Sequence, residues 1–247
     1  MKRSFRQSAV PIAAVAFAAA FVVAGCGSSA APSRAPAATA SQAATASQAA
    51  TQSPVPLPAL GALDEGTYFI AAGPFSPARV TFSVPAGWAT ADGFVKKKEG
   101  QAGEVALSTW VVTHVHADSC LHTTDTLVDV GSSPDKLVST LVALKNRDVS
   151  PPTDVTLGGL PAKRLELAVP ADLDVTTCTF RAIKNWPDPG PNEAGGLCCG
   201  GPGHVDVVYV VDINGKPLVV VARQLPGSSA QDLAELQAIV DSIKIEP

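Results

Sequence analysis

The sequence predicts an α+β fold, an antiparallel β-sheet with two helices packed on it, preceded by a signal peptide and a disordered tether. Three observations lead to this prediction. Apolar β-forming runs separated by turn residues recur from about residue 67 onward. Two other segments repeat apolar residues every three to four positions, which is typical of helices. The first 57 residues show neither a strand nor an amphipathic helix pattern.

The clearest strand signal is a pair of apolar runs at 205–213 and 217–225. They are joined at Asn214-Gly215, a dipeptide that favours a tight hairpin turn with positive φ. We expect further strands at 67–70, 79–84, 94–98, 105–115, 155–157, 162–169 and 178–186.

Two helices are expected, both packed against one face of the sheet. The first begins with Ser133 as N-cap and Pro134 at the first helical position, where its missing N–H is not needed. In the second, Ser228 and Gln231 are placed to form a capping box. Its apolar residues then recur to the C-terminus: Leu233, Leu236, Ile239, Val240 and Ile243.

The N-terminus has the three parts of a signal peptide over residues 1–25. Lys2, Arg3 and Arg6 form a positive region, an apolar run covers 9–23, and small residues precede Cys26. The run is shorter than the roughly 20 residues that span a bilayer comfortably, so a retained membrane helix is the weaker interpretation.

The segment Val23-Ala24-Gly25-Cys26 resembles the bacterial lipobox. This resemblance implies cleavage before Cys26, a diacylglycerol on its sulfur and an acyl group on its new amine. Two or three acyl chains hold a protein on a membrane far better than one. We therefore expect lipidation at Cys26 and an address on the extracytoplasmic face of the cell membrane. The alternative is a cysteine that follows an ordinary secretory cleavage site.

A linker at 26–57 separates this anchor from a globular domain at 58–247. The linker consists almost wholly of Gly, Ser, Ala, Pro, Thr and Gln, with a repeated TASQAA unit. Such a segment buries too little apolar area to offset its ordering entropy, so we expect a disordered tether.

The charge balance argues against nucleic acid as a partner. The precursor has 18 basic and 22 acidic residues, and removing 1–25 leaves 15 basic residues, a net charge of −7. Nucleic-acid-binding domains carry clustered Lys and Arg instead. The basic run Lys96-Lys97-Lys98 is expected to be a solvated strand edge.

Several motifs together resemble a known family. They are Thr81-Phe-Ser-Val-Pro-Ala-Gly-Trp88, the segment 155–167 after a helix, the Asn214-Gly215 hairpin, and the ending 239–245. This order resembles actinobacterial cell-envelope lipoproteins with a PsbP-like α/β/α sandwich. The resemblance covers about 64–245 and implies a binding or assembly module. The insertion at about 186–203 has no counterpart in that pattern. It is rich in Pro and Gly and therefore loop-forming, and we expect it to be the contact region.

Four cysteines remain once Cys26 is acylated: Cys120, Cys178, Cys198 and Cys199. An even number outside the cytoplasm indicates disulfides. We favour a Cys120–Cys178 bridge, with Cys198 and Cys199 bonded to each other or free. The alternative joins Cys120 and Cys178 separately to the adjacent pair.

The segment His114-Val-His116-Ala-Asp118-Ser-Cys120-Leu-His122 is the strongest cluster of chemical groups. His114 and His116 share one strand face, which permits two imidazoles on one metal ion. A tetrahedral set could be completed by Asp118, Cys120, His122 or the distant His204. Hydrogen-bonded or exposed histidines are the alternative interpretation.

Catalytic and nucleotide-binding motifs are not found in the sequence. Ser133-Pro-Asp-Lys136 fits a Ser-x-x-Lys pattern but is explained as a helix cap, and Gly200-Gly-Pro-Gly does not follow a strand. We therefore predict no enzyme and no cofactor. The predicted function is a membrane-anchored extracytoplasmic lipoprotein, a non-catalytic binding or accessory module that engages an envelope protein or lipid. The alternatives are a carrier of a lipid or small apolar ligand, and a metal-binding lipoprotein.

Overall fold

The computed structural model describes residues 53–91, 93–187 and 200–247, and the backbone of 196–198. The signal peptide, Cys26, most of the tether and Cys199 lie outside these residues, as does most of the 186–203 insertion. In chain order the strands are β1 (Val55–Pro56), β2 (Gly61–Ala62), β3 (Gly66–Ile70), β4 (Arg79–Val84), β5 (Ala89–Ala91), β6 (Phe94–Lys97), β7 (Val105–Trp110), β8 (His114–His116), β9 (Leu127–Asp129), β10 (Asp148–Val149), β11 (Thr153–Leu157), β12 (Leu160–Ala168), β13 (Lys184–Pro187), β14 (Gly196–Cys198), β15 (Val205–Ile213), β16 (Lys216–Gln224) and β17 (Lys244–Glu246). The helices of this part of the chain are α1 (Pro134–Val142) and α2 (Ala230–Asp241), with short 3₁₀ turns at Thr124–Thr126, Val175–Thr177 and Thr179–Arg181.

A large antiparallel sheet forms the centre of the domain. Its strand order is β10-β12-β15-β16-β7-β6-β5-β2, with β11 paired to β12. A smaller sheet has the order β1-β3-β4-β17, and its β1–β3 pair is parallel. The predicted α+β class, antiparallel sheet with two helices, is confirmed.

The two helices pack on opposite faces of the central sheet. Val208 and Val210 of β15 join the apolar cluster that contains Leu137, Val138 and Leu141 of α1. The alternate residues, Tyr209 and Val211, join the cluster of Leu236, Ile239 and Val240 of α2, which also includes the small sheet. Adjacent residues of a strand point to opposite faces, so the prediction that both helices share one face is wrong.

The elements near the two ends of the domain differ from those predicted. Val55 and Pro56, within the segment expected as linker, pair with Tyr68 and Phe69 as β1. At the other end α2 stops at Asp241, and the last residues form β17 on the edge of β4. Ile243 and Ile245, both buried, follow the alternation of a strand rather than a helical period.

The predicted cap of α1 is confirmed, and that of α2 is shifted by one residue. Ser133 Oγ accepts a hydrogen bond from the Lys136 amide. In α2 the N-cap is Ser229, whose hydroxyl accepts from the Asp232 amide. Ser228 instead donates its hydroxyl to the Leu225 carbonyl, which closes the turn before the helix.

The lysine run is not a solvated strand edge, because it holds α2 against the sheet. Lys97 Nζ lies 2.7 Å from Glu235 Oε2 and 3.0 Å from Asp232 Oδ1. Lys98 Nζ lies 2.6 Å from Asp232 Oδ2, and hydrogen bonds from Lys98, Ser229 and Lys97 hold the pKa of Asp232 well below its usual range. Sequence spacing could not reveal this contact, since the acidic partners lie more than a hundred residues away.

The Asn214-Gly215 hairpin forms as predicted between β15 and β16. Asn214 and Gly215 have φ of 53° and 83°, the left-handed values of the tight turn that this dipeptide favours. The Gly215 amide also donates to Asp212 Oδ1 at 2.6 Å.

The segment 178–186 is not one strand. It contains a 3₁₀ turn at Thr179–Arg181, and only Lys184–Pro187 is extended, as β13. Phe180 and Arg181 have φ of 51° and 54°, values that a strand does not accommodate.

The packing of α1 can be tested with adjacent residues of one helix. Leu141 is fully buried, whereas Val142 is 45% exposed. We expect Leu141→Ala to lower the free energy of unfolding by about 2–5 kcal/mol, because it opens a cavity in the core. Val142→Ala, the control, should change it by about 0.5 kcal/mol or less. Urea denaturation measures both, and equal effects would contradict the position of α1.

Candidate functional site

A disulfide ties two loops together at one end of the domain. Cys120 and Cys178 are bonded, with Cα atoms 4.5 Å apart and a sequence separation of 58. Both are buried with Val169 and Ile183 in a small separate cluster. We call the segments 114–126 and 175–187, which this bridge joins, the disulfide end. The structure thus contains the favoured pairing, so Cys120 is not available as a metal ligand.

Phe180 is the most exposed large apolar side chain of the described residues. It is 90% exposed, and Leu121, on the other loop of the disulfide end, is 52% exposed. The turn is held by hydrogen bonds from the Thr179 amide to the Cys120 carbonyl and from the Arg181 amide to the Cys178 carbonyl. Two consecutive non-glycine residues in the left-handed region are unfavourable, and they persist only where surrounding contacts impose them.

The structure brings His116 and His122 together but not His114. The His116 and His122 rings are 5.6 Å apart between centroids, and both side chains are buried. His114 is half-buried, and its Nδ1 lies 3.0 Å from Thr113 Oγ1. Within the described ranges no three His, Cys, Asp or Glu side chains are grouped so that they could hold a metal ion. The metal site with His114, His116 and His122 stays a prediction.

Asp118 organises the loop that carries Cys120. Its Oδ1 accepts hydrogen bonds from the amides of Cys120 and Leu121 and from Asn146 Nδ2. Partial burial raises the pKa of Asp118, but these hydrogen bonds lower it by more. The net pKa is therefore below the usual aspartate value. A carboxylate engaged in this way has a structural role.

Asp206 lies at the centre of a buried polar cluster that the sequence analysis did not single out. Its Oδ2 is 3.0 Å from Arg147 Nη2, and its Oδ1 is 2.9 Å from His204 Nε2 and 3.2 Å from Arg223 Nε. Arg147 also donates to Asn185 Oδ1 and to the Leu167 carbonyl. The network connects four strands and the loop after α1. Its one sequence signal is an acid near the start of the apolar run 205–213, which has a second acid, Asp212, near its other end.

Burial alone would raise the pKa of Asp206. Its interactions with His204, Arg223 and Arg147 lower it by more, so the net pKa lies far below the usual range. The side chains of Asp206 and His204 have no exposure to solvent, so this histidine–carboxylate pair is out of reach of a substrate. We assign it a structural role.

Three further polar atoms around this cluster are buried and have no hydrogen-bond partner within the described structure. They are Asn185 Nδ2, Trp186 Nε1 and His204 Nδ1. The backbone of Gly200 passes so close to His204 that a Cβ at this position would overlap the imidazole ring. Glycine is therefore required at 200.

A cleft of about 340 Å³ lies between the β11–β12 hairpin, β15 and α2. Its apolar lining includes Val155, Tyr209 and Val240, and its polar lining includes Arg164 and Asp241. The volume is in the range of small-ligand sites, but the polar groups make it less apolar than a lipid pocket.

The role of Asp206 can be tested by measuring how the free energy of unfolding falls in acid. Its folded-state pKa is depressed, so its contribution is present above the unfolded-state pKa of about 4 and is lost as pH falls below that value. At pH 7 we expect Asp206→Asn to lower the free energy of unfolding by about 3–5 kcal/mol, because it leaves Arg147 with an unpaired buried charge.

The matched control is Asp154→Asn, which removes an exposed pair with Lys163 and should change stability by about 1 kcal/mol or less. Denaturant titrations from pH 7 to pH 3 measure both variants. The role assigned to Asp206 is contradicted if Asp206→Asn keeps the wild-type loss of stability in acid.

No protein-family model and no curated protein matches this chain. Among solved structures, it is similar to LpqN, described as involved in cell envelope biogenesis of Mycobacterium tuberculosis, at 12% identity over 73% of this chain and 91% of LpqN, with a TM-score of 0.37. It is also similar to a cyanobacterial PsbP from Synechocystis, at 11% identity over 75% of this chain and 94% of that protein, with a TM-score of 0.34. Likenesses at these values do not establish a shared fold or function, so the PsbP-like family stays a prediction.

Proposed function

We propose that this chain is a membrane-anchored extracytoplasmic lipoprotein whose domain is a non-catalytic binding or accessory module of the cell envelope. Acyl chains on Cys26 anchor it, and the segment to residue 53 tethers the domain. The anchoring role rests on the ordered combination of positive region, apolar run, small residues and cysteine in 1–26.

The disulfide supports the proposed location. Bridges such as Cys120–Cys178 persist in oxidising compartments outside the cytoplasm and are rare inside it. Within the part of the chain that the structure describes, no helix has the length and apolarity needed to cross a bilayer.

The proposed binding role rests on the high exposure of the Phe180 side chain. A turn pinned by a disulfide presents an aromatic ring to solvent in an unfavourable backbone conformation, with Leu121 on the adjoining loop. Rigid exposed aromatic side chains are typical anchors of protein–protein contacts, since they bury a large area and lose little conformational entropy. The partner is proposed to be another envelope component.

The turn at Thr179–Arg181, which we call the contact turn, shortly precedes the insertion that the sequence predicted as the contact region. Of that insertion, the structure describes Trp186, Pro187, the backbone of 196–198 and 200–203. Trp186 is buried against Trp110, so it packs in the core. Phe180, which precedes the insertion, is the exposed aromatic residue of this region.

The carrier alternative is less well supported. A carrier of an apolar molecule needs an enclosed apolar cavity of about a few hundred Å³. The cleft beside α2 has a suitable volume but is lined partly by Arg164, Gln237 and Asp241. We therefore favour the partner-binding role over transport of a lipid.

Anchoring can be tested by replacing one cysteine. In cells fed a clickable palmitate analogue, we expect the wild-type chain in the membrane fraction with label on Cys26. Cys26→Ser should be unlabelled and soluble outside the cytoplasm, because it lacks the sulfur that carries the diacylglycerol. Cys199→Ser, the control, should remain labelled and membrane-bound. A Cys26→Ser chain that stays in the membrane would indicate a retained helix at 9–23.

The contact turn can be tested with Phe180→Gly. Glycine tolerates positive φ, so stability should stay within about 1 kcal/mol of wild type. With a photo-crosslinking residue at Leu121, we expect cross-links to an envelope partner to fall by at least about tenfold, because the anchor ring is lost.

Phe75→Gly is the control, since Phe75 is also exposed but packs against Trp110 and is not part of the turn at Thr179–Arg181. It should leave the cross-links unchanged. Undiminished cross-linking by a folded Phe180→Gly chain would refute the contact role.

A further inference from the structure

The hydrogen bonds of His116 determine which of its ring nitrogens carries the proton. Thr126 Oγ1 donates its single proton to the Thr123 carbonyl at 2.8 Å. It therefore acts as acceptor toward His116 Nδ1, 3.3 Å away, and Nδ1 is the protonated nitrogen. The lone pair of the neutral ring is then on Nε2, which is buried and has no hydrogen-bond partner in the described structure.

His122 is fixed in the opposite tautomer. Its Nε2 lies 3.1 Å from the Ala182 carbonyl oxygen, which can only accept, so Nε2 carries the proton. The lone pair of the neutral ring is on Nδ1. Each ring thus donates one N–H to an oxygen and keeps one lone pair, the arrangement that orients histidines which ligate metals.

The spacing of the two rings fits a shared ion. Metal–imidazole bonds are about 2.0–2.1 Å long, which puts the centroids of two rings on one ion roughly 5–6 Å apart. The observed separation is 5.6 Å. The His122 ring also contacts the Phe180 ring at 6.2 Å, and the high exposure of Phe180 places the pair near the surface.

We propose that His116 and His122 bind one divalent transition-metal ion of the zinc and copper class, with water completing its coordination. This inference goes beyond the proposed binding module and does not depend on it. It replaces the ligand pair His114 and His116, which strand alternation predicted, with a pair that the disulfide end brings together.

The surroundings of the pair limit its affinity for a cation. Lys184 is close enough to His116 for its positive charge to act on the ring, and this charge opposes a bound cation. Two protein ligands also bind a metal ion more weakly than three, so we expect micromolar rather than nanomolar affinity.

The direct test uses the untagged mature chain, residues 26–247, with Cys26→Ser for solubility and Cys198→Ser and Cys199→Ser to exclude thiol ligands. The chain has four histidines, so each ring can be followed by NMR. On adding Cu²⁺ at about one-tenth of the protein concentration, we expect the ring signals of His116 and His122 to broaden first. Signals of His114 and His204 should persist. Broadening that begins at His114 would overturn the proposal, and this readout needs no histidine variant.

Calorimetry with Zn²⁺ then measures the affinity. We expect His122→Gln to weaken binding by at least about tenfold and the control, His114→Gln, by less than about twofold. Thermal melting verifies that each variant is folded. The absence of Zn²⁺ binding at about 1 mM, or equal losses in the two variants, would reject the site.

Discussion

The hairpin of β15 and β16 imposes the main constraint on this fold, because it is apolar on both faces. The residues of 207–211 and 218–222 are almost all buried, and alternate side chains point to opposite sides of the sheet. Each fully buried valine or leucine contributes about 1.5–3 kcal/mol relative to exposure, so neither face can be left in water. One face is covered by α1, and the other by α2 and the small sheet.

Asp206 is the exception within this hairpin, and it explains how the disulfide end is attached. A buried carboxylate is tolerated only when it is paired and hydrogen-bonded. Arg147 and Arg223 supply the charge, while Arg147 reaches Asn185 and the β12 carbonyl of Leu167. Asn185 in turn accepts from Ser119, next to Cys120. One polar network thus positions the loops that carry Phe180 and the histidine pair relative to the core.

Sequence patterns correctly predicted the elements whose structure depends on neighbouring residues. The Asn214-Gly215 turn and the Ser133 cap form as predicted because each depends on a few adjacent residues. Periodicity located both helices, but it does not tell which face of a sheet a helix covers.

The errors arise where distant contacts override local propensity. The 178–186 segment is rich in β-forming residues. The disulfide to Cys120 and the turn at Phe180, with its positive φ, nevertheless prevent a continuous strand. His116 and His122 meet through a loop, which strand alternation cannot represent. Asp206 stands out in the sequence as an acid among valines, but its arginine partners, Arg147 and Arg223, come from two distant segments.

The position of β17 has a consequence for the order in which the domain can assemble. Its residues pair with β4, and the Ser83 amide donates to Ser242 Oγ across 159 positions. The small sheet of β1, β3, β4 and β17 therefore cannot be completed until nearly the last residue is available. The core beneath it cannot close before then either. Contacts of such long range form slowly, because a large loop must close first. In the proposed export, a chain that passes through a narrow channel from its N-terminus would thus reach the far side before its core can be completed.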